Sequence, residues 1–266
     1  MPLHRHIEWL WHYTDFQPDH EREHVLPDGG FELIINLEDR PRKLFANENS
    51  DRYESFKRSW ISGAHSEHLI IDALPGSTMI GAHFRPGGAA AFLAFGPSEV
   101  SGQVVELESV WGLTARDWRE QLLAARGPGE KFQVFEKLLL QRLAGQNRRR
   151  ERNRGVAYAI SRFSNGCEAR SVAAMADELG MSHKHFIDCF RREVGLTPKK
   201  FCRIRRFQDV LTRIQSRKTV AWADVACACG YYDQAHFVND FVAFSGMNPS
   251  QYLDRRLEED PSFARR

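Results

Sequence analysis

Gly230-Tyr231-Tyr232-Asp233-Gln234-Ala235-His236-Phe237, continued by Phe241, Gly246, Pro249 and Tyr252, decides how this sequence folds, because much of its pattern occurs twice. At an offset of 51 residues Phe186 matches Phe237, Phe190 matches Phe241, Gly195 matches Gly246, Pro198 matches Pro249, and Phe201 matches Tyr252. A further matched glycine, Gly180 or Gly230, precedes each first phenylalanine, displaced by one inserted residue. Self-similarity of this kind marks one supersecondary unit used more than once.

Each copy reads as helix, tight turn, helix. In the first, near 171–194, Ser171 is an N-cap, and Val172, Met175, Ala176 and Leu179 line one helical face. Gly180 supplies a left-handed turn residue, and Ser182 caps a second helix that turns Phe186, Cys189 and Phe190 inward. In the second, near 220–245, Val220, Val225, Ala226 and Cys229 form the first helix, Gly230 turns the chain and Asp233 caps. Phe237, Phe241 and Phe244 then face the core. Small residues (Ala173, Ala174, Ala176; Ala223, Ala226, Ala228) let the paired helices cross closely. This is the helix-turn-helix pattern, whose second helix enters the major groove of DNA. Between the copies, 199–215 is an amphipathic helix with Phe201, Ile204, Phe207, Val210, Leu211 and Ile214 inward. It spans roughly 25 Å. That is stiff enough to set two recognition helices apart, about 34 Å being the separation of successive major-groove turns.

The charge distribution agrees with this division. The 266 residues carry a formal charge of +2, but 1–146 hold 15 Lys+Arg against 21 Asp+Glu, whereas 147–266 hold 22 against 14. An acidic half joined to a basic half suits a basic module that meets a polyanion. All five cysteines (Cys167, Cys189, Cys202, Cys227, Cys229) lie in the basic half, odd in number and without zinc-ligand spacing, so they read as reduced thiols. No apolar run approaches the ~18 residues of a membrane span. The start, Met1-Pro2-Leu3-His4-Arg5-His6, lacks a signal peptide's apolar core. The expectation is a cytoplasmic protein with no membrane partner.

The first half has a different character. Residues 7–110 read as short strands broken by turns: 31–37 after the turn Pro27-Asp28-Gly29-Gly30, then 60–64, 68–74 and 78–84. An Ala-rich helical turn follows at 89–95, and helices at 114–125 and 131–143 carry apolar stripes. Such a pair of helices serves a dimer contact or packs on its own domain. The apolar-free run 145–154 reads as a linker. The predicted class is α+β. A β-rich, barrel-like N-terminal regulatory or dimerisation domain with a helical hairpin (1–146) precedes an Arg-rich linker (147–155). An all-α domain (156–266) follows, with two helix-turn-helix motifs joined by a linker helix.

Residues 156–253 resemble the double helix-turn-helix domain of AraC-type transcription regulators, on the Gly230–Phe237 stretch with Phe241, Gly246, Pro249 and Tyr252. More loosely, 20–143 resemble the uncharacterised N-terminal domain attached to some of them. The stretches that carry this are Leu26-Pro27-Asp28-Gly29, Gly81-Ala82-His83-Phe84-Arg85-Pro86-Gly87-Gly88 and 107–112. The resemblance implies a sequence-specific regulator of transcription with a sensing or dimerising module. Its partners would be double-stranded DNA, RNA polymerase if it activates, a small-molecule effector of unknown identity, and a second copy of the chain.

By that resemblance the base-reading positions of the first copy fall on Lys184, Ile187 and Asp188. Lys donates to guanine O6/N7, Asp accepts from cytosine N4, and Ile offers apolar contact. On the matching face of the second copy Gln234 and Asn239 suit adenine and Ala235 a thymine methyl. His183, Arg191, Arg192, Lys199, Lys200 and His236 are candidate backbone contacts; Arg203, Arg205 and Arg206 are read as backbone contacts or solvated charge, positioning the protein without reading sequence. Trp60, Phe84, Phe92 and Trp111 are candidate lining of a ligand pocket, or ordinary core. No G-x-S-x-G elbow, phosphate loop or dinucleotide fingerprint is present, so neither catalysis nor a cofactor is expected. His65, His68 and His83 with Glu67 are the residues from which a metal site would have to be built, and none is expected. An effector-independent DNA binder whose N-terminal domain only dimerises fits the same sequence.

Overall fold

A computed structural model describes residues 2–146, 153–164 and 171–258. Its first half is built on two antiparallel sheets. One has the order β1 (Ile7–Phe16), β8 (Ser77–Phe84), β3 (Phe31–Asn36), β6 (Ser59–Ser62) and β9 (Val104–Glu106). The other runs β2 (Arg22–Val25), β7 (Leu69–Asp72), β4 (Arg42–Phe45) and β5 (Tyr53–Phe56). The strands expected at 31–37, 60–64, 68–74 and 78–84 are β3, β6, β7 and β8, each within two residues of the expected bounds.

Strand alternation gives the five-stranded sheet two different faces. Opposite Gly81 of β8 lies Trp11 of β1, whose indole occupies the space a side chain at Gly81 would need. Trp11 therefore shares a face with Ile34, Trp60 and Met79, turned toward the second sheet. Leu33, Ile35, Ile80, Ala82 and Phe84 fill the opposite face, all essentially without exposure. That face is covered by α1 (Leu107–Trp111), α2 (Leu113–Ala124) and α3 (Gly127–Gln146). Ring contacts tie the layers together: Phe84 to Phe92 at 5.1 Å, Trp111 to Trp118 at 4.9 Å, and Trp118 to Phe135 at 6.2 Å. Helix α3 begins at Gly127, earlier than the 131 expected, because Pro128 falls in its first turn, where a missing N–H costs nothing. The turn expected to be helical over 89–95 is only a 3-10 helix at Ala89–Ala91.

The second half is all helical: α4 (Arg154–Ser164), α5 (Val172–Glu178), α6 (His183–Val194), α7 (Pro198–Ile214), α8 (Trp222–Ala228), α9 (Gln234–Ser245) and α10 (Pro249–Glu258). Of the expected linker, 147–152 lie outside the described residues, as does Cys167; Arg154 and Gly155 are already helical. The repeated phenylalanines are the core. Phe186 and Phe190 pack with Phe163 and Phe201, and Phe237 and Phe241 with Phe207, Trp222 and Tyr252. Each such ring withdrawn from water contributes about 1.5–3 kcal/mol. Gly180 and Gly230 have φ of 65° and 70°, the left-handed backbone that lets each helix pair turn in so few residues. Among the described residues no helix is long and apolar enough to cross a membrane.

Candidate nucleic-acid interface and the adjoining cavity

Both expected recognition helices are capped as the sequence requires. Ser182 Oγ accepts from His185 N at 3.3 Å to start α6, and Asp233 Oδ1 accepts from His236 N at 2.7 Å to start α9. Ser171 does the same for α5, accepting from Ala174 N at 3.0 Å. On α6, His183, Lys184, Asp188, Arg191 and Arg192 are exposed and Ile187 is half-buried. On α9, Gln234, Ala235 and Asn239 are exposed and His236 is half-buried. The candidate base-reading residues thus share the outer faces of the two helices.

A buried ion pair that the sequence reading did not single out locks α9 to α7. Asp240 is 3% exposed, and its Oδ1 accepts from Arg203 Nη2 at 2.7 Å and Nε at 3.1 Å. His236 Nε2 lies 3.8 Å from the other carboxylate oxygen. Tyr232, 93% exposed, immediately precedes the Asp233 cap.

The helical half rests on the sheet half through α6, α7 and α10. Gln208 of α7 donates to Pro27 O at 2.8 Å, and Lys200 Nζ to Ser66 Oγ at 3.0 Å, so Lys200, a candidate phosphate contact, is engaged by the N-terminal half. Arg255 Nη1 donates to Glu48 Oε1 at 2.6 Å and lies 3.3 Å from His24 Nε2. His24 stacks on His68, whose ring covers Gly246 at the end of α9. Burial holds both histidines below the ordinary imidazole value, with Arg255 reinforcing the effect at His24. Gly29, at φ 87°, brings the turn at 27–30 so close to α7 that a Cβ there would lie 3.1 Å from the Phe201 ring.

Behind that turn, between the two sheets, is a cavity of about 640 Å³. Aromatic residues Trp9, Trp11, Tyr13, Phe31, Phe56 and Trp60 and aliphatic Val25, Ile34, Leu44, Leu69, Ile71 and Met79 line it. Of the four candidate pocket residues, Trp60 lines it. Phe84, Phe92 and Trp111 are buried on the opposite face of the five-stranded sheet, among the helices. The alternation of Trp9, Trp11 and Tyr13 along β1 was the signal that could have found the true wall.

Several charged groups that line the cavity are paired with one another. Arg42 donates to Asp72 Oδ1 at 2.9 Å, to Ser77 Oγ at 2.7 Å and to the Asp72 carbonyl. His83 Nε2 lies 3.1 Å from Asp28 Oδ2. Burial alone would raise Asp28, yet the His83 hydrogen bond and charge, the Gly30 N–H and Arg205 outweigh it and hold the carboxyl low. Burial would lower His83, but Asp28, helped by Glu32 and Glu8, raises it. His65, bonded to Ser62 Oγ at 3.0 Å, is pushed down to about 4 by burial. His65, His68 and His83 therefore serve three separate contacts, and among the described residues no three His, Cys, Asp or Glu side chains gather as a metal site would require.

Two capped helix-turn-helix units on a stiff connecting helix, attached to a cavity-bearing sheet domain, define a bipartite protein of the double helix-turn-helix class. Comparison with known proteins agrees. Residues 175–255 match a helix-turn-helix domain family, and 1–106 match a domain of unknown function (DUF6597). An uncharacterized HTH-type transcriptional regulator of Haemophilus influenzae is 28% identical over 81 residues, covering 30% of this chain and 27% of that protein. The chain thus matches about a quarter of the length of that curated relative. Among solved structures, ToxT from Vibrio cholerae aligns over 92% of this chain and 97% of its own at 10% identity and a TM-score of 0.44. The DNA-binding domain of AdpA in complex with a target DNA aligns over 39% and 94% at 20% identity and a TM-score of 0.36. The C-terminal part of the chain is thus similar to a helix-turn-helix domain family, and it follows an N-terminal part similar to a domain of unknown function.

Proposed function

We propose that this chain is a sequence-specific double-stranded DNA-binding regulator of transcription whose activity responds to a small molecule held in the N-terminal cavity. The observation that carries the DNA reading is the repeated, capped helix pair with Lys184, Asp188, Gln234, Ala235 and Asn239 exposed on its outer faces. Half-buried Ile187 adds an apolar base contact on the same helix as Lys184 and Asp188. His183, Arg191, Arg192, Lys199 and His236 position the helices on phosphates. The domains divide at 1–146, 147–155 and 156–266.

The sensing reading rests on the shared wall. Leu26, Pro27, Asp28, Gly30 and Phe31 line the cavity, and the same segment touches α7 through Pro27 and Gly29 and the end of α6 through Phe31, whose ring abuts Gly195. An occupant pressing on this segment reaches the helix that sets the spacing of the recognition helices. By linkage, DNA would then change the occupant's affinity by the same factor. Leu113 and Leu123, exposed on α2, support a homodimer, and polymerase contact belongs to the activator form of the proposal.

Selection of bound duplexes from a random library tests the DNA reading. An enriched motif with two boxes about ten base pairs apart is expected. Gln234→Ala is expected to relax preference at one base pair by about 1–3 kcal/mol, whereas an equal loss on all sequences would make Gln234 a backbone contact. Binding blind to sequence and steeply salt-dependent would refute specific regulation.

A further inference from the structure

We infer that the cavity takes a largely aromatic small molecule of two or three rings that carries no anionic group. This rests on the sensing reading above and deepens it by naming the ligand's chemistry. The cavity, about 640 Å³, falls in the range of small-molecule sites, roughly 300–1,000 Å³. Its aromatic residues already stack in the manner a ring system would extend. Trp9 lies flat on His83 at 4.2 Å, Trp11 on Tyr13 at 5.5 Å, and Phe56 is tilted against Trp60 at 5.9 Å. Offset and edge contacts with such rings favour a planar partner.

Charge decides the rest. Arg42 has every branch of its guanidinium engaged, by Asp72 and Ser77. His83 is matched by Asp28. Lys43 belongs to the other face of β4: it alternates with Arg42 and Leu44, and its Nζ lies 4.4 Å over the half-exposed Tyr53 ring. His12 points away as well, against Phe132 of α3. His65 is spoken for by Ser62 and faces Asp28 rather than a cation. The carboxylates outnumber these cations, with Asp28, Glu32 and Glu8 all acting on His83. Asp72 and Asp28 hold Arg42 and His83, and Glu32 accepts from Trp11 Nε1 at 2.7 Å. An anionic ligand would leave water with no counter-charge waiting among these residues, and desolvating an unpaired charge is costly. A neutral ring system avoids that cost.

The test compares two fluorescent probes that share one ring skeleton, neutral N-phenyl-1-naphthylamine and anionic 8-anilinonaphthalene-1-sulfonate, on the full chain at neutral pH. The neutral probe is expected to bind roughly tenfold or more tighter, because only the sulfonate must be desolvated unpaired. Ile71→Trp, which fills the cavity from β7, should weaken the neutral probe by a similar factor while the selected duplex still binds. Val104→Phe, from the opposite sheet, serves if Ile71→Trp fails to fold. Equal or tighter binding of the sulfonate overturns the inference, and so does neutral-probe binding that survives both fillings. Failure of both probes to bind a chain that still holds its duplex overturns the inference and the sensing reading together, and leaves the DNA reading standing. A chain that binds the neutral probe in its cavity but no duplex reverses that outcome.

Discussion

Asp240→Ala should loosen α9 without touching its candidate base-reading side chains. The carboxylate is 3% exposed and receives two guanidinium N–H bonds from Arg203, at 2.7 and 3.1 Å. Breaking a buried pair by removing one partner costs about 3–5 kcal/mol, because the remaining charge is stranded. Here Arg203 keeps a side-chain exposure of 35% and lies 5.3 Å over the Phe244 ring, so water and ring relieve part of the penalty. A loss of about 2–3 kcal/mol is the discounted figure. Urea unfolding followed by helical ellipticity measures it, and duplex affinity of the same variant reports how far α9 has lost its seat. Removing the stranded charge as well, in Asp240→Ala with Arg203→Met, should recover at least about 1 kcal/mol of the loss. A single variant within about 0.5 kcal/mol of the parent would refute the argument, as would a double variant no more stable than the single one.

Two further outcomes follow from the seam and from the buried histidines. Gly29→Ala forces an L-residue to φ 87° and sets its Cβ 3.1 Å from Phe201, whereas Gly102→Ala meets φ 72° with nothing within 4 Å. Both should lose about 1–2 kcal/mol to backbone strain, and only Gly29→Ala should also alter duplex affinity; identical behaviour of the two would mean that the turn does not press on α7. His65, pushed down to about 4, stays neutral when folded while its unfolded form takes a proton below about 6.5. Stability should therefore fall as pH drops from about 6.5 toward 4, by up to about 1.4 kcal/mol per unit for each such group, His24 and His68 acting in the same direction. His83 opposes this, since its raised pKa adds stability below about 6.5 that is lost as pH rises through its folded value. Urea midpoints across that range should show a shallower slope for His65→Gln, and parallel curves would reject the assignment.

The helical half was legible because its information is local. A phenylalanine every three or four residues, a glycine at each turn and a hydroxyl or carboxylate at the starts of α5, α6, α7 and α9 name the same elements from sequence and from coordinates. The strands of the first half were legible in part. β3, β6, β7 and β8 announce themselves by β-branched and aromatic residues between turn signals. β4 and β5, with Arg42, Lys43, Glu54 and Ser55, do not, because only alternate residues of a strand beside the cavity need be apolar. The candidate pocket residues show where local reading stops. Trp60, Phe84, Phe92 and Trp111 are equally large and apolar, yet only Trp60 faces the cavity.

What the sequence determined by itself is the repeated helix pair, its caps, its inward and outward faces and the basic charge of that half, all set by neighbours within a few residues. Only the tertiary structure decided which face of the five-stranded sheet encloses space and which is packed with helices. It also decided that Asp28 meets His83 and Asp72 meets Arg42, and that the turn at 27–30 is pressed between cavity and linker helix. Those relations join residues tens to nearly two hundred positions apart. Their cause is the register of strand pairing and the docking of one half on the other, which no local periodicity encodes.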